Sequence, residues 1–161
     1  MTVNEYNKTV ERFSDNVYRF ILKNIKNEAK AQDIVQDSFE KLWMNRSSVE
    51  FEKSKSYLFT TAYRTMIDTI RKDNRLSVTN DQRIFESKHE ETYNDIQEIL
   101  HEAIKQLPDD QRAVLLLRDF EGYSYNDISE ITGLNVSQVK VYIYRARLFL
   151  KNYIVKIENL V

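Results

Sequence analysis

Residues Ser124–Arg147 read SYNDISEITGLNVSQVKVYIYRAR, and their spacing predicts two helices joined by a tight turn. Ser124 and Asp127 form a capping-box-like start, with Asp where Glu or Gln is usual. Ile128 and Ile131 point inward. Gly133 ends the first helix where positive φ is favoured, and Leu134 plugs the corner. Asn135 with Gln138 repeats the capping pattern. Val139, Ile143 and Ala146, spaced by four and three, give the second helix one buried face. Lys140, Val141, Tyr144, Arg145 and Arg147 fall on its other faces. Two helices joined by a short turn containing Gly fit the helix-turn-helix that lays its second helix in the DNA major groove. An ordinary helical hairpin with a solvated basic face has the same period and caps.

Charge segregation favours the first of these readings. From Asn135 onward the cations are Lys140, Arg145, Arg147, Lys151 and Lys156, against the single acid Glu158. Between Ile96 and Leu134 acids predominate: Glu98, Glu102, Asp109, Asp110, Asp119, Glu121, Asp127 and Glu130 stand against Lys105, Arg112 and Arg118. A chain of net charge -1 has gathered positive charge on its last helix. Phosphate attraction follows that local field rather than the total.

The 161 residues suffice for one domain or two small ones, and 42% hydrophobic residues allow a real core. Two Gly and one Pro disfavour all-β and Rossmann-type folds and favour long helices with short turns. The absence of cysteine excludes disulfides, thiolate metal sites and a Cys nucleophile. No apolar run approaches spanning length and the N-terminus lacks a signal-peptide core, so a soluble, cytoplasmic protein without membrane insertion is expected. His89 and His101 are the only histidines. With no catalytic constellation, neither catalysis, a metal site nor a cofactor is expected.

Toward the N-terminus, Tyr6, Val10, Phe13, Val17, Phe20 and Ile21 recur at helical spacing. A second helix is expected over about 28–45, with Ala31, Ile34, Val35, Phe39 and Leu42 inward. A third is expected over about 53–72, with Tyr57, Leu58, Ala62, Met66, Ile67 and Ile70 inward. Phe39 and Trp43 are expected to pack the core. The pattern fails over 73–92, which reads as a linker. A second core starts at Tyr93, and Pro108 suits the first turn of its second helix. The expected architecture is all-α: two small helical domains, 1–72 and 93–161, joined by a flexible linker over 73–92, the C-terminal one a helix-turn-helix domain.

LPDDQRAVLLLRDFEGYSYNDISEITGLNVSQVKVYIYRAR resembles the C-terminal DNA-binding domain of extracytoplasmic-function (ECF) bacterial sigma factors. The leucine-proline pair, the Arg112 helix, Glu121-Gly122, the S-Y-x-D-I run and the R-A-R ending match in order. Independently, AQDIVQDSFEKLW resembles that family's polymerase-binding helix and SYLFTTAYRTMIDTIRK its promoter-melting helix. The resemblance covers nearly the whole chain. It implies a non-enzymatic subunit that binds core RNA polymerase and directs it to promoters, taking the −10 element as single strand and the −35 element as duplex.

On that resemblance, Asp33, Gln36, Asp37 and Glu40 form the polar face that docks on the β′ coiled coil, with the β subunit as a further contact. A solvated acidic face is the plain alternative. Melting needs aromatics for unpaired bases and cations for the backbone. Lys53, Lys55, Tyr57, Tyr63, Arg64, Arg71 and Lys72 are the candidates. Tyr57 stands where the family commonly has Trp, and it reads equally as a core aromatic. Arg64 stands where the family often has Asn, and an ion pair with Asp68 would account for both residues. Ser137, Gln138, Lys140, Val141, Tyr144, Arg145 and Arg147 are the duplex-contacting candidates. Val141 and Tyr142 replace a more polar pair, so the element read is expected to be atypical. Promoter DNA, core polymerase and an anti-sigma factor are the implied partners. A stand-alone helix-turn-helix regulator and a polymerase-binding decoy without promoter function are the competing readings.

Overall fold

A computed structural model describes residues 1–79 and 96–159 of the chain. Seven α-helices account for nearly all of them: α1 Val3–Ile25, α2 Glu28–Met44, α3 Ser54–Thr79, α4 Ile96–Lys105, α5 Asp109–Leu115, α6 Tyr125–Thr132 and α7 Val136–Glu158. A 3₁₀ turn, Phe51–Lys53, leads into α3, and α5 runs on into a π-helical turn, Leu116–Phe120. No strand occurs among the described residues, as the all-α reading expects.

Local chemistry sets the helix ends. Thr2 and Glu5 form a reciprocal capping box at the start of α1, and the Asn27 side chain caps α2 through Lys30 N. Pro108 sits at the cap position of α5, one residue earlier than the expected first turn, with Asp109 and Asp110 at the positive end of the helix. α3 runs to Thr79, so residues 73–79, expected as linker, are helical. The remainder of that expected linker, His89 included, and Tyr93 just after it lie outside the described residues.

The N-terminal half packs α1, α2 and α3 around Val17, Phe20, Ile21, Ala31, Ile34, Leu42, Leu58, Phe59, Ala62 and Met66, each at most 3% exposed. The C-terminal half packs α4 to α7 around Ile104, Val114, Leu115, Leu117, Ile128, Ile131, Val139 and Ile143. Burying a large aliphatic or aromatic side chain stabilises by about 1.5–3 kcal/mol each, so each half holds an ample core. The two cores are continuous, a point the sequence left open. Phe59 of α3 is the bridge. Its ring stands 5.5 Å from Phe20 on one side and 5.4 Å, edge-on, from Tyr123 of the C-terminal half on the other.

Trp43 departs from its expected core position. It is 37% exposed, set edge-on to Tyr6 at 4.9 Å, with the Arg46 guanidinium 3.8 Å over its ring. Phe39 alone of that pair is buried.

Candidate nucleic-acid interface

The turn between α6 and α7 is built as its residue types require. Ser124 accepts from Asp127 N at 3.1 Å, and Gly133 closes α6 at φ 79, a conformation a side chain would strain. Asn135 and Gln138 form a reciprocal capping box. Gln138 Oε1 is therefore held by the Asn135 amide. Val139, Ile143 and Ala146 are at most 1% exposed. That burial turns Ser137, Gln138, Lys140, Val141, Tyr144, Arg145 and Arg147 outward, all exposed.

These outward cations differ in freedom. Arg145 is in none of the ion pairs found among the described residues. Arg147 donates from one edge of its guanidinium to Asp119, Nη2 to Oδ1 at 2.6 Å and Nε to Oδ2 at 3.2 Å, and that bond is the main reason its pKa is raised. Lys140 lies 5.6 Å from the Tyr125 ring, which also carries the Arg118 guanidinium at 4.5 Å. The face thus offers cations beside Val141 and Tyr144, which are 43% and 67% exposed.

On α2, Asp33, Gln36, Asp37 and Glu40 are all exposed, opposite buried Ala31, Ile34 and Leu42. Four polar side chains on adjacent turns form one continuous hydrophilic strip.

The α3 candidates scatter. Lys53, Arg64, Arg71 and Lys72 are exposed. Lys53 lies 3.9 Å from Glu50. The expected Arg64–Asp68 pair is not among the ion pairs of the described residues. Tyr57 is half-buried, accepting from Asn45 Nδ2 at 3.1 Å and donating weakly to the Lys41 carbonyl, which ties α3 to the end of α2. It lines a groove with Ser48, Val49, Glu50, Lys53, Ser56 and Thr60, and Glu130 of α6 lines it as well.

Tyr63 corrects the sequence reading. It is 7% exposed, because it shares the inward stripe of Phe59 and Met66, four residues before and three after. Burial first, and the Asp110 carboxylate second, push its hydroxyl up to about 12. In this arrangement Tyr63 cannot stack on a base. Lys55 is also engaged, its ammonium 4.8 Å from the Tyr123 ring.

Sequence reasoning picked out the Arg112 helix but not the contacts of its arginine, and it missed Lys26. Arg112 is 5% exposed, a burial rare for a cation unless its donors are met. They are met by the carbonyls of Ile104, Lys105 and Leu107, by Asp109 Oδ1 and by the Asn24 carbonyl at the end of α1. Lys26 Nζ reaches the other way, donating to the Lys105 carbonyl at 2.8 Å. The only sequence signal was the Asp109–Arg112 spacing, which marks a helix start and not a cross-chain contact. His101 is exposed, and no metal-ligating cluster occurs among the described residues. Nor is any described helix long and apolar enough to cross a membrane.

Comparison with known proteins finds matches in both halves of the chain. The sigma-70 region 2 model matches residues 9–76, and the sigma-70 region 4 model matches residues 97–150. RNA polymerase sigma factor SigV of Bacillus subtilis is 39% identical over 132 residues, covering 80% of this chain and 78% of that protein. ECF RNA polymerase sigma factor SigM of Bacillus subtilis is 28% identical over 94% of each. Among solved structures, the sigma factor RpoE of Bartonella quintana, in complex with the anti-sigma factor NepR, superposes with TM-score 0.79 at 26% identity, covering 94% of this chain and 98% of that one. A match of that extent carries both halves at once. With both halves matched in order over the helices that bear the candidate residues, the chain belongs to the sigma-70 family of RNA polymerase sigma factors, in its extracytoplasmic-function group.

Proposed function

We propose that this sigma factor divides promoter binding between its halves. The outward face of α7 reads the upstream element as duplex, through Lys140, Val141, Tyr144 and Arg145, with Ser137 and Gln138 near the phosphates at the helix start. Val141 is suited to a thymine methyl, and the cations to guanine edges or phosphates. The α3 cations Lys53, Arg64, Arg71 and Lys72, with the groove beside Tyr57, take the −10 element as single strand. The Asp33, Gln36, Asp37 and Glu40 strip docks on the β′ coiled coil of core polymerase. Phosphodiester chemistry belongs to the polymerase. The protein works in the cytoplasm, and an anti-sigma factor holds it in reserve, as NepR accompanies the similar RpoE in its solved complex.

The observation that carries this reading is the capped turn at Gly133 followed by α7, buried on one side and bearing cations on the other. Run-off transcription with purified core enzyme over a library of promoter fragments tests it. Promoter-directed transcripts are expected. Tight core binding without any transcript would favour a decoy, and tight binding of a palindromic site by the free protein a stand-alone regulator.

A further inference from the structure

At the seam between the halves, where α1 and α4 both end, the surface is hollowed into a cleft of about 380 Å³. Leu22 and Ile104 wall it, and Lys26, Glu28, His101 and Lys105 bring charged or polar groups to its lining. Its size lies within the range of small-molecule sites. None of the residues assigned above to DNA or to polymerase lines it. Lys26, which closes α1, holds φ 55 and is the one non-glycine residue with positive φ among those described. That conformation strains a side chain, and glycine would adopt it freely. From there Lys26 Nζ donates to the Lys105 carbonyl at 2.8 Å. An ammonium has three donors, so this bond uses one of them.

The negative helix ends beside the cleft are already met. Arg112 takes the carbonyls of Ile104 and Lys105 at the end of α4 and of Asn24 at the end of α1. Positive charge is left over. Partial burial first, then Arg112 and Lys105, push the Lys26 ammonium down to about 8, and Glu102 and Asp109 only partly offset them. Lys23 adds a further cation at the wall, its ammonium 4.0 Å over the Phe120 ring. Neither Lys23 nor Lys26 is in the ion pairs found among the described residues. Among those residues, Glu28 is the one acid of the lining. Lys105 lies 3.7 Å from Glu102, a loose surface pair from which it can turn at little cost. An anion between Lys26 and Lys105 would gain charge-assisted hydrogen bonds from both and offset their mutual repulsion.

We infer that this cleft binds a small polyphosphate, inorganic or carried on a nucleoside, held between the ammonium groups of Lys26 and Lys105. His101, one turn before Lys105 on α4, lies beside them. Two linked phosphates match two lysines, and Leu22 and Ile104 give a nucleoside an apolar wall. The acids set the class of ligand. A nucleic-acid strand continuing past the cleft would meet the negative charge of Glu28 on α2 and Glu102 on α4, whereas a compact polyphosphate ends between them. The site stands apart from promoter binding and does not depend on it.

Isothermal titration calorimetry on the full-length chain tests it, with pyrophosphate, ADP and inorganic phosphate as probes. Pyrophosphate or ADP should bind once per chain, about tenfold tighter than inorganic phosphate. The tighter of the two tells an inorganic source from a nucleotide one. Lys26→Gln keeps a neutral donor and should weaken binding about tenfold at about pH 7.5. Lys105→Gln leaves the backbone carbonyl that Lys26 and Arg112 use and should weaken it about fivefold. Lys8→Gln, exposed on α1 and outside the cleft, should change nothing. The bound anion favours charged Lys26. Wild-type affinity should therefore fall more steeply than that of Lys26→Gln between about pH 7 and about pH 9.5, the probe's own titration being common to both. If Lys26→Gln lowers the melting temperature, Lys105→Gln against Lys8→Gln decides. No binding of any probe, equal binding by the wild type and both cleft variants, or an equal loss in Lys8→Gln would overturn the site. Parallel pH profiles would overturn the place of Lys26 in it. A single-stranded oligonucleotide that displaces pyrophosphate and needs the same two lysines would overturn the small-molecule assignment.

Discussion

The α3 face and the α7 face carry the same kinds of residue, cations interleaved with aromatics, and both were expected to meet DNA. They stand in opposite conditions. On α7, Tyr144 and Val141 project outward and Arg145 is unpaired among the described residues. On α3, Phe59 and Tyr63 are buried and Lys55 leans on a tyrosine of the other half. A local pattern shows which residues can bind nucleic acid. Whether they are free to do so depends on what packs over them.

The largest separation should come from truncating one aromatic on each face. Phe59→Ala removes the ring that joins the two cores and should cost about 3–5 kcal/mol in urea unfolding. Tyr144→Ala should stay within about 0.5 kcal/mol. Equal losses would mean that α7 is packed and not open.

Charge reversal probes function next. Arg145→Glu should weaken use of the upstream element by about 1–3 kcal/mol, read as run-off transcription from promoters with and without that element. Affinity for core polymerase should not change. A fall in core affinity would break the division of labour between the halves.

A smaller effect is expected where the α7 face is tied down. Asp119→Asn frees Arg147 from its two-point hold and removes one negative charge. Stability should fall by no more than about 1 kcal/mol, since the pair is half-exposed. Duplex affinity of the holoenzyme should rise, with a steeper salt dependence. Lower affinity would mean that Asp119 positions Arg147 for DNA and does not compete for it.

The smallest expected effect is a pH dependence on the seam side alone. Lys26 has its ordinary value of 10.5 lowered to about 8. Between those values the folded, closed protein binds fewer protons than the unfolded chain, so stability rises with pH across that window. Below about 8 Lys26 is charged in both states, and its crowding by Arg112 and Lys105, only partly offset by Glu102 and Asp109, is felt in full. The melting temperature of the wild type should therefore approach that of Lys26→Gly between about pH 8 and about pH 10.5. A constant gap would show that Lys26 is not crowded.

The helices, the caps at Ser124 and Asn135 and the inward stripes of α1, α2 and α7 were legible in the chain, because each depends on residues three or four apart. Asn135 and Gln138 cap α7 as their spacing requires, and Gly133 takes the positive φ its position calls for. The exposed strip on α2 and the outward face of α7 follow from the same short-range geometry. Trp43 failed for a different reason. Periodicity orients a side chain, but only the neighbours around it decide whether it is covered, and Trp43 lies at the rim of α1 and α2. Tyr63 shows the same limit from the other side, since an aromatic suited to stacking was also a residue of the buried stripe.

The amino-acid order alone determined an all-α chain, the turn at Gly133 and the segregation of positive charge onto the last helix, because these are properties of neighbouring residues. Tertiary structure alone decided that the halves close on one another. The Arg112–Asn24 bond joins residues 88 positions apart, and no local period carries information over that distance. Burial of Tyr63, engagement of Lys55 and the strained Lys26 all follow from that closure, because a surface becomes a seam only when a second surface meets it.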